Sequence, residues 1–306
     1  MISRELIKKV KKIEIVTRHY VQDTMAGQYH SVFKGRGISF QEVRQYQIGD
    51  DVRMIDWNVS ARMGDVFVKL FVEEREVTVI LVVDVSASTF FGTRGFAKRD
   101  VIAEIAALLS FSAIENNDRV GLIMFSDRIE KFIPPKKGRK HVLRVVLSLL
   151  STKTAGKKTD MGVALDYLGK VIKRRSIVFL ISDFIGRGYE EQLKLAARKH
   201  DLVPIEIFDP REKSSNPEDL SRERGIIPMG LILIEDPETG EVEWLDSSNK
   251  KVIESYSTLL KKEEVERGEF FRKNKIDFIS VDISKPYMDP LIKFFKLRAK
   301  RSVIRV

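Results

Sequence analysis

Cysteine is absent from all 306 residues. That absence excludes disulfides, thiolate zinc sites and cysteine nucleophiles, and it suits a reducing cytoplasm. Histidine is scarce: His19, His30, His141 and His200 stand singly, with no spacing that would let two of them hold one metal, and they read as structural residues. Long apolar runs are missing too. The run at residues 79–83 is far shorter than the roughly 20 residues a bilayer requires, so no membrane span is expected. The opening stretch "MISRELIKKVKKIEIV" alternates charge with apolar residues and lacks the uninterrupted core of a signal peptide. It predicts an amphipathic basic helix in a cytoplasmic protein.

What the sequence does have is charge and a sizeable core. Hydrophobic residues make up 43% of the chain, charged residues 32%, and the formal net charge is +10. A basic surface favours acidic partners in general. The lysines and arginines are spread along the chain, however, without a zinc-finger or RNP-type aromatic motif, so no specific nucleic-acid partner is expected. A basic nucleic-acid-binding module remains an alternative reading.

From residue 77 onward, strand and helix patterns alternate. "VTVILVVD" (77–84), "DRVGLIMFS" (118–126), "SIVFLISD" (176–183) and "DLVPIEIFD" (201–209) are apolar strands, and "DRIEKFIPP" (127–135) is an edge strand ending at two prolines. Helical spacing covers 96–114, 138–150, 159–173 and 188–200. The pattern predicts an α/β domain with a doubly wound, mostly parallel sheet over 77–209. Residues 1–76 read as a helix followed by a small β-rich elaboration. Residues 210–306 read as an extension: a loop, a hairpin around "DPETGE", a charged helix at 250–273, a strand and a final helix.

Ligands of open α/β sheets bind at the carboxyl ends of the strands. Asp84 and Asp183 each end one of these strands. Asp84-x-Ser86-x-Ser88 spaces its oxygens by two, so an extended chain would point all three the same way. Thr159 stands before a helix in the loop "TAGKKTD". Together these five form an all-oxygen set of the kind hard cations take, Mg2+ above all and also Mn2+ or Ca2+. Taken alone, Asp84, Ser86 and Ser88 read equally well as turn and capping residues.

Other motifs carry less. Gly49-Asp50-Asp51…Asp56-Trp57 reads as a turn whose aspartates pair with Arg44, Arg53 or Arg62 while Trp57 packs. "GKKT" (156–159) is a poor phosphate loop, since Ser151 stands where the leading glycine belongs. Ser86 and Ser88 have no nucleophile elbow. A metal-dependent phosphotransfer enzyme is the remaining catalytic alternative, and no base or nucleophile accompanies Asp84 to support it.

Asp84, Ser86, Ser88, Thr159 and Asp183 resemble the metal-ion-dependent adhesion site (MIDAS) of von Willebrand factor A domains. The upstream "GRGISFQEVRQYQIGDDVRMIDWNVSAR" (35–62) is similar to the signature of the domain-of-unknown-function 58 family, whose members are von Willebrand A-like. That resemblance implies a von Willebrand A-like sheet and a non-enzymatic protein. It also implies a role in protein or complex assembly beside a MoxR-type AAA+ ATPase or a client protein that supplies an Asp or Glu. Within the site it implies direct or water-mediated Mg2+ contacts from Asp84, Ser86, Ser88 and Thr159, with Asp183 acting from behind them. Thr89 departs from the methionine that many such sites carry, at a position that does not coordinate.

Overall fold

In the computed structural model, residues 4–21, 29, 32, 39–72, 76–90, 98–152, 156, 158–186, 188–210, 230–235 and 242–304 are described. In chain order the elements are α1 (Arg4–Tyr20), β1 (Ser39–Gln45), α2 (Trp57–Met63), β2 (Phe67–Val72), β3 (Thr78–Asp84), α3 (Lys98–Glu115), β4 (Arg119–Phe125) and β5 (Ile129–Lys136). There follow α4 (Arg139–Ser151), α5 (Met161–Val171), β6 (Ile177–Ser182), α6 (Glu190–Lys199), β7 (Asp201–Phe208), β8 (Leu231–Glu235), β9 (Val242–Asp246), α7 (Lys250–Lys273), β10 (Ile279–Asp282) and α8 (Met288–Ile304). The chain divides into two compact units, Phe33–Val77 and the remainder.

The larger unit is built on a six-stranded sheet in the order β10-β7-β6-β3-β4-β5. Every pairing is parallel except β4 with β5. This is the expected mixed α/β sheet, with "DRIEKFIPP" at its antiparallel edge. Val79, Ile80, Leu81, Val82 and Val83 of β3 have no exposed surface. A strand covered on both faces can be apolar throughout, and each such side chain contributes about 1.5–3 kcal/mol on burial. From β3 the chain builds outward to β4 and β5, then returns to the other side of β3 to lay down β6 and β7. The strand order therefore reverses between β3 and β6.

Within residues 1–76, α1 belongs to the larger unit. Its buried Val10, Ile13, Thr17 and Val21 recur every three or four residues, and this stripe packs on α3 and α4. Lys9 pairs with Asp100, and Arg139 with Glu14. The apolar face of this basic helix is thus spent on the core. The C-terminal extension is likewise tied in, because β10 pairs in parallel with β7. The hairpin β8–β9 forms as expected. Its turn, the loop at 211–229 and residues 35–38 of the family-like stretch lie outside the described residues. Among the described residues, no helix is long and apolar enough to cross a membrane.

The unit Phe33–Val77 holds the antiparallel pair β1–β2 and the short α2. Arg44 donates to both carboxylate oxygens of Asp50, at 2.9 and 2.7 Å. Asp51 accepts from the backbone N–H of Arg53, while Asp56 caps α2 and lies 3.5 Å from Lys69. The aspartates are therefore turn and capping residues, as expected. Trp57 corrects the expectation that it packs: it is 68% exposed. It is the first residue of α2, directly after the capping Asp56.

His200, between α6 and β7, is 1% exposed, and its ring nitrogens have no hydrogen-bond partner among the described residues. Burial, helped by the charges of Lys199 and Arg175, pushes its pKa down to about 4. An unfolded histidine titrates near 6.5. Between those values the unfolded chain binds the extra proton, so stability is present above about pH 6.5 and is lost as pH falls toward 4. The loss should be on the order of 2 kcal/mol after allowing for solvent near the ring. Thermal melts at neutral and mildly acidic pH should show a smaller acid-induced drop in His200→Gln than in the wild type. Equal drops would refute this assignment.

Candidate metal centre

Asp84 and Asp183 come together because their strands are neighbours. Asp84 ends β3, Asp183 directly follows β6, and the two strands pair in parallel register from Val79↔Ile177 to Val83↔Ile181. Both carboxylates therefore stand at the carboxyl edge where the strand order reverses, the crevice that open α/β sheets use for ligands. They are buried, at 1% and 4% exposure.

The chain after β3 does not stay extended, which corrects the geometric reason for the two-residue spacing. Val85 donates to the carbonyl of Phe125 at 2.8 Å, closing the last rung with β4. Asp84 Oδ1 then accepts the backbone N–H of Ser86 at 2.9 Å and turns the chain into a 3-10 segment over Ala87–Phe90. This turn, rather than strand alternation, brings the Ser86 and Ser88 hydroxyls within 3.1 Å of each other. Both are buried, and the Thr89 hydroxyl locks the turn by donating to the Ser86 carbonyl at 2.7 Å.

The second carboxylate oxygen of Asp84 accepts from the Ser182 hydroxyl at 2.7 Å. Ser182 in turn accepts the N–H of Phe184 at 3.1 Å, and Asp183 Oδ1 accepts the N–H of Ile185 at 3.2 Å. Phe184 holds a left-handed φ of 56°, an uncommon backbone state for a large side chain. Its buried ring packs edge-on against Tyr189 and Phe271. Burial, and then the negative charge of Asp183, push the Asp84 carboxyl up to about 7, against the hydrogen bonds of Ser86 and Ser182.

Thr159 reaches the same edge from a neighbouring loop. Asp160 donates its N–H to the carbonyl of Ser126 at 2.9 Å, and Ser126 follows Phe125, the strand partner of Asp84. Gly156 is required here: a Cβ on it would lie 2.0 Å from Asp127 Oδ1 and 2.2 Å from the Ser126 hydroxyl. Asp160 then caps α5, accepting the N–H of Val163 at 3.1 Å. A cavity of about 350 Å³ opens beside Thr159, lined also by Asp160, Asp166, Tyr189 and Gln192.

Asp84, Ser86, Ser88 and Asp183 thus form one buried cluster, with Thr159 on the adjoining loop. The donors are all oxygens, and two of them are like charges held together away from water, which is an environment a small hard cation would relieve. The residues fit such an ion. Among the described residues, no three His, Asp or Glu side chains gather as a metal set, so the cluster depends on its hydroxyls. Two members were missed by sequence reasoning. Ser182 was available from its place one residue before Asp183. Lys98, whose Nζ lies 3.4 Å from Asp183 Oδ2, gave no signal, because it comes from the start of a helix remote in sequence.

Fold and site together define a mixed α/β protein whose buried carboxylates and hydroxyls gather at its topological switch point. Residues 42–266 match the family described as protein of unknown function DUF58, and the chain belongs to that family. Uncharacterized protein Rv1480 of Mycobacterium tuberculosis (strain ATCC 25618 / H37Rv) is 30% identical over 242 residues, covering 78% of this chain and 73% of its own length. Among solved structures, the conserved hypothetical protein BatB from Bacteroides thetaiotaomicron aligns over 73% of this chain and 99% of its own at 17% identity, with a TM-score of 0.46. Proximal thread matrix protein 1 from the mussel byssus, solved with a zinc-occupied MIDAS motif, aligns over 43% of this chain and 38% of its own at 18% identity, with a TM-score of 0.35.

Proposed function

We propose that this protein is a divalent-cation-dependent protein-binding module that works with a MoxR-type AAA+ ATPase in assembling or maturing other proteins. The observation that carries this reading is the buried pair Asp84 and Asp183 beside the Ser86–Ser88 hydroxyl pair at the strand-order reversal. Asp84, Ser86, Ser88 and Thr159 would hold Mg2+, or Mn2+ or Ca2+, directly or through water, with Asp183 behind them. The ion would supply a position for a carboxylate from the partner. The protein's own residues do the rest. Ser182 orients Asp84, Thr89 fixes the turn that carries both serines, and the cavity beside Thr159 leaves room for partner residues flanking the acid.

The test is retention of a purified MoxR-type ATPase on the immobilised full chain, in Mg2+ and in EDTA. Retention in Mg2+ and release by EDTA is the expected result. Retention that EDTA does not change, or no retention in either, overturns the reading.

A further inference from the structure

The cavity beside Thr159 is acidic in a basic chain. The net charge is +10, yet the charged side chains among the described lining residues are two carboxylates, Asp160 and Asp166, with no cation. Neither acid forms an ion pair with a described residue. Lys158, next to Thr159 in sequence, is exposed and does not line the space.

The cavity also holds a buried acceptor without a donor. Gln192 Oε1 is shielded from solvent and has no hydrogen-bond partner among the described residues. A buried carbonyl oxygen left in that state costs free energy, and an N–H donor relieves it. The Gln192 amide and Asp160 meet at Gly162, another lining residue: a Cβ there would lie 3.1 Å from Asp160 Oδ1 and 3.7 Å from Gln192 Nε2. Glycine leaves that point open to a ligand. Asp166 and Gln192 also line a second cavity, of about 140 Å³, together with His200, which is 1% exposed and has both ring nitrogens unpartnered. Unsatisfied buried polar groups thus gather on this face between α5 and α6.

A lysine or arginine side chain answers both features. Its head carries the positive charge that the carboxylates attract and the N–H donors that Gln192 Oε1 lacks. Its aliphatic stem can lie along Val163 and Ile185, lining residues that are 37% and 56% exposed. The volume, about 350 Å³, is at the lower end of ligand pockets. We infer that this cavity seats a basic side chain that the partner carries beside the carboxylate it offers to the ion. The inference rests on the metal-binding reading above for the carboxylate, and on the cavity alone for the basic side chain.

The test has two arms. In the first, the full chain in EDTA is titrated with Nα-acetyl-lysine methylamide and Nα-acetyl-arginine methylamide and followed by NMR, with the norleucine analogue as the uncharged control. At least one cationic probe should move the Gly162 resonance and bind about tenfold or more tightly than the norleucine analogue. Asp160→Asn/Asp166→Asn, in which asparagine can still cap α5, and Gln192→Met should each weaken that binding by about tenfold. Arg187, between two lining glycines in sequence, lies outside the described residues, so Arg187→Ala is titrated in parallel. The second arm is run in Mg2+ with capped peptides Gly-Gly-Asp-Lys-Gly-Gly and Gly-Gly-Lys-Asp-Gly-Gly and their glutamine-for-lysine counterparts. At least one lysine peptide should bind about tenfold tighter than its counterpart.

No binding of a cationic probe to the wild type in EDTA, binding in Arg187→Ala alone, or binding that both cavity variants leave unchanged overturns the inference while the metal site stands. Lysine and glutamine peptides that bind equally in Mg2+ overturn it as well. If the double variant does not fold, Gln192→Met decides. If the cationic probes bind in EDTA and no peptide responds to Mg2+, the metal-binding reading falls while the seat for a basic side chain stands.

Discussion

Asp84→Asn is expected to abolish Mg2+ binding while leaving the chain folded and, in EDTA, more stable than the wild type. The two effects have one cause. Asp84 is 1% exposed and stands beside Asp183, so its ionised form is disfavoured both by loss of water and by a like charge. Asparagine keeps the shape and removes the charge. Its carbonyl can still accept the Ser86 N–H, and the Ser182 oxygen can accept from its new amide once the hydroxyl hydrogen turns away. With one buried charge gone, melting in EDTA should rise.

Affinity for the ion moves the other way. Losing even an outer-shell partner typically costs about 10–100-fold in metal affinity, so losing a charged ligand should cost at least about a hundredfold. Calorimetry with Mg2+ and a melt in EDTA read the two halves separately. Unchanged Mg2+ affinity in Asp84→Asn would remove Asp84 from the site. A lower melting temperature in EDTA would show that its hydrogen bonds outweigh its charge.

Arg267→Met should be the most damaging single change outside the central sheet. Arg267 of α7 pairs with Glu206 of β7, with side-chain exposures of 15% and 5%, and it also donates to the carbonyl of Phe184 at 3.5 Å. Removing one member of a buried pair deprives the other of its opposite charge, at a cost of about 3–5 kcal/mol. The hydrogen bond from Ser280 to Glu206, at 2.7 Å, comes from a neutral hydroxyl and cannot replace the charge of the guanidinium. For a chain of this size the melting temperature should fall on the order of 10 °C. The double variant Arg267→Met/Glu206→Gln should recover most of that. A single variant melting within about 2 °C of the wild type would show that the pair contributes little.

The strands were legible because each is a short, nearly continuous apolar run between turn residues, and two of them end in the acids that mark the ligand edge. Their spatial order was not, since nothing in "SIVFLISD" says that it lies beside "VTVILVVD" rather than beyond "DRVGLIMFS". The site was legible as a set of oxygens but not as a shape. Alternation along an extended chain accounts for the Asp84-x-Ser86-x-Ser88 spacing on paper, whereas a carboxylate capturing the Ser86 N–H accounts for it in the fold. Lys98 was invisible because its partner is 85 residues away. Trp57 misled because a large aromatic in a charged turn is ordinarily covered, and here it is not.

The place of β10 at the edge of the main sheet has a consequence for synthesis. β7 is complete at Phe208, but the strand that covers its outer side begins only at Ile279. Through all the intervening translation, a nascent chain would expose the row of unpaired backbone groups along β7, with Glu206 still lacking Arg267 and Ser280. Such open edges recruit other chains. The window between residues 208 and 279 is therefore where this protein most needs a companion during its own biogenesis, and a chain interrupted there should aggregate rather than persist as a smaller domain.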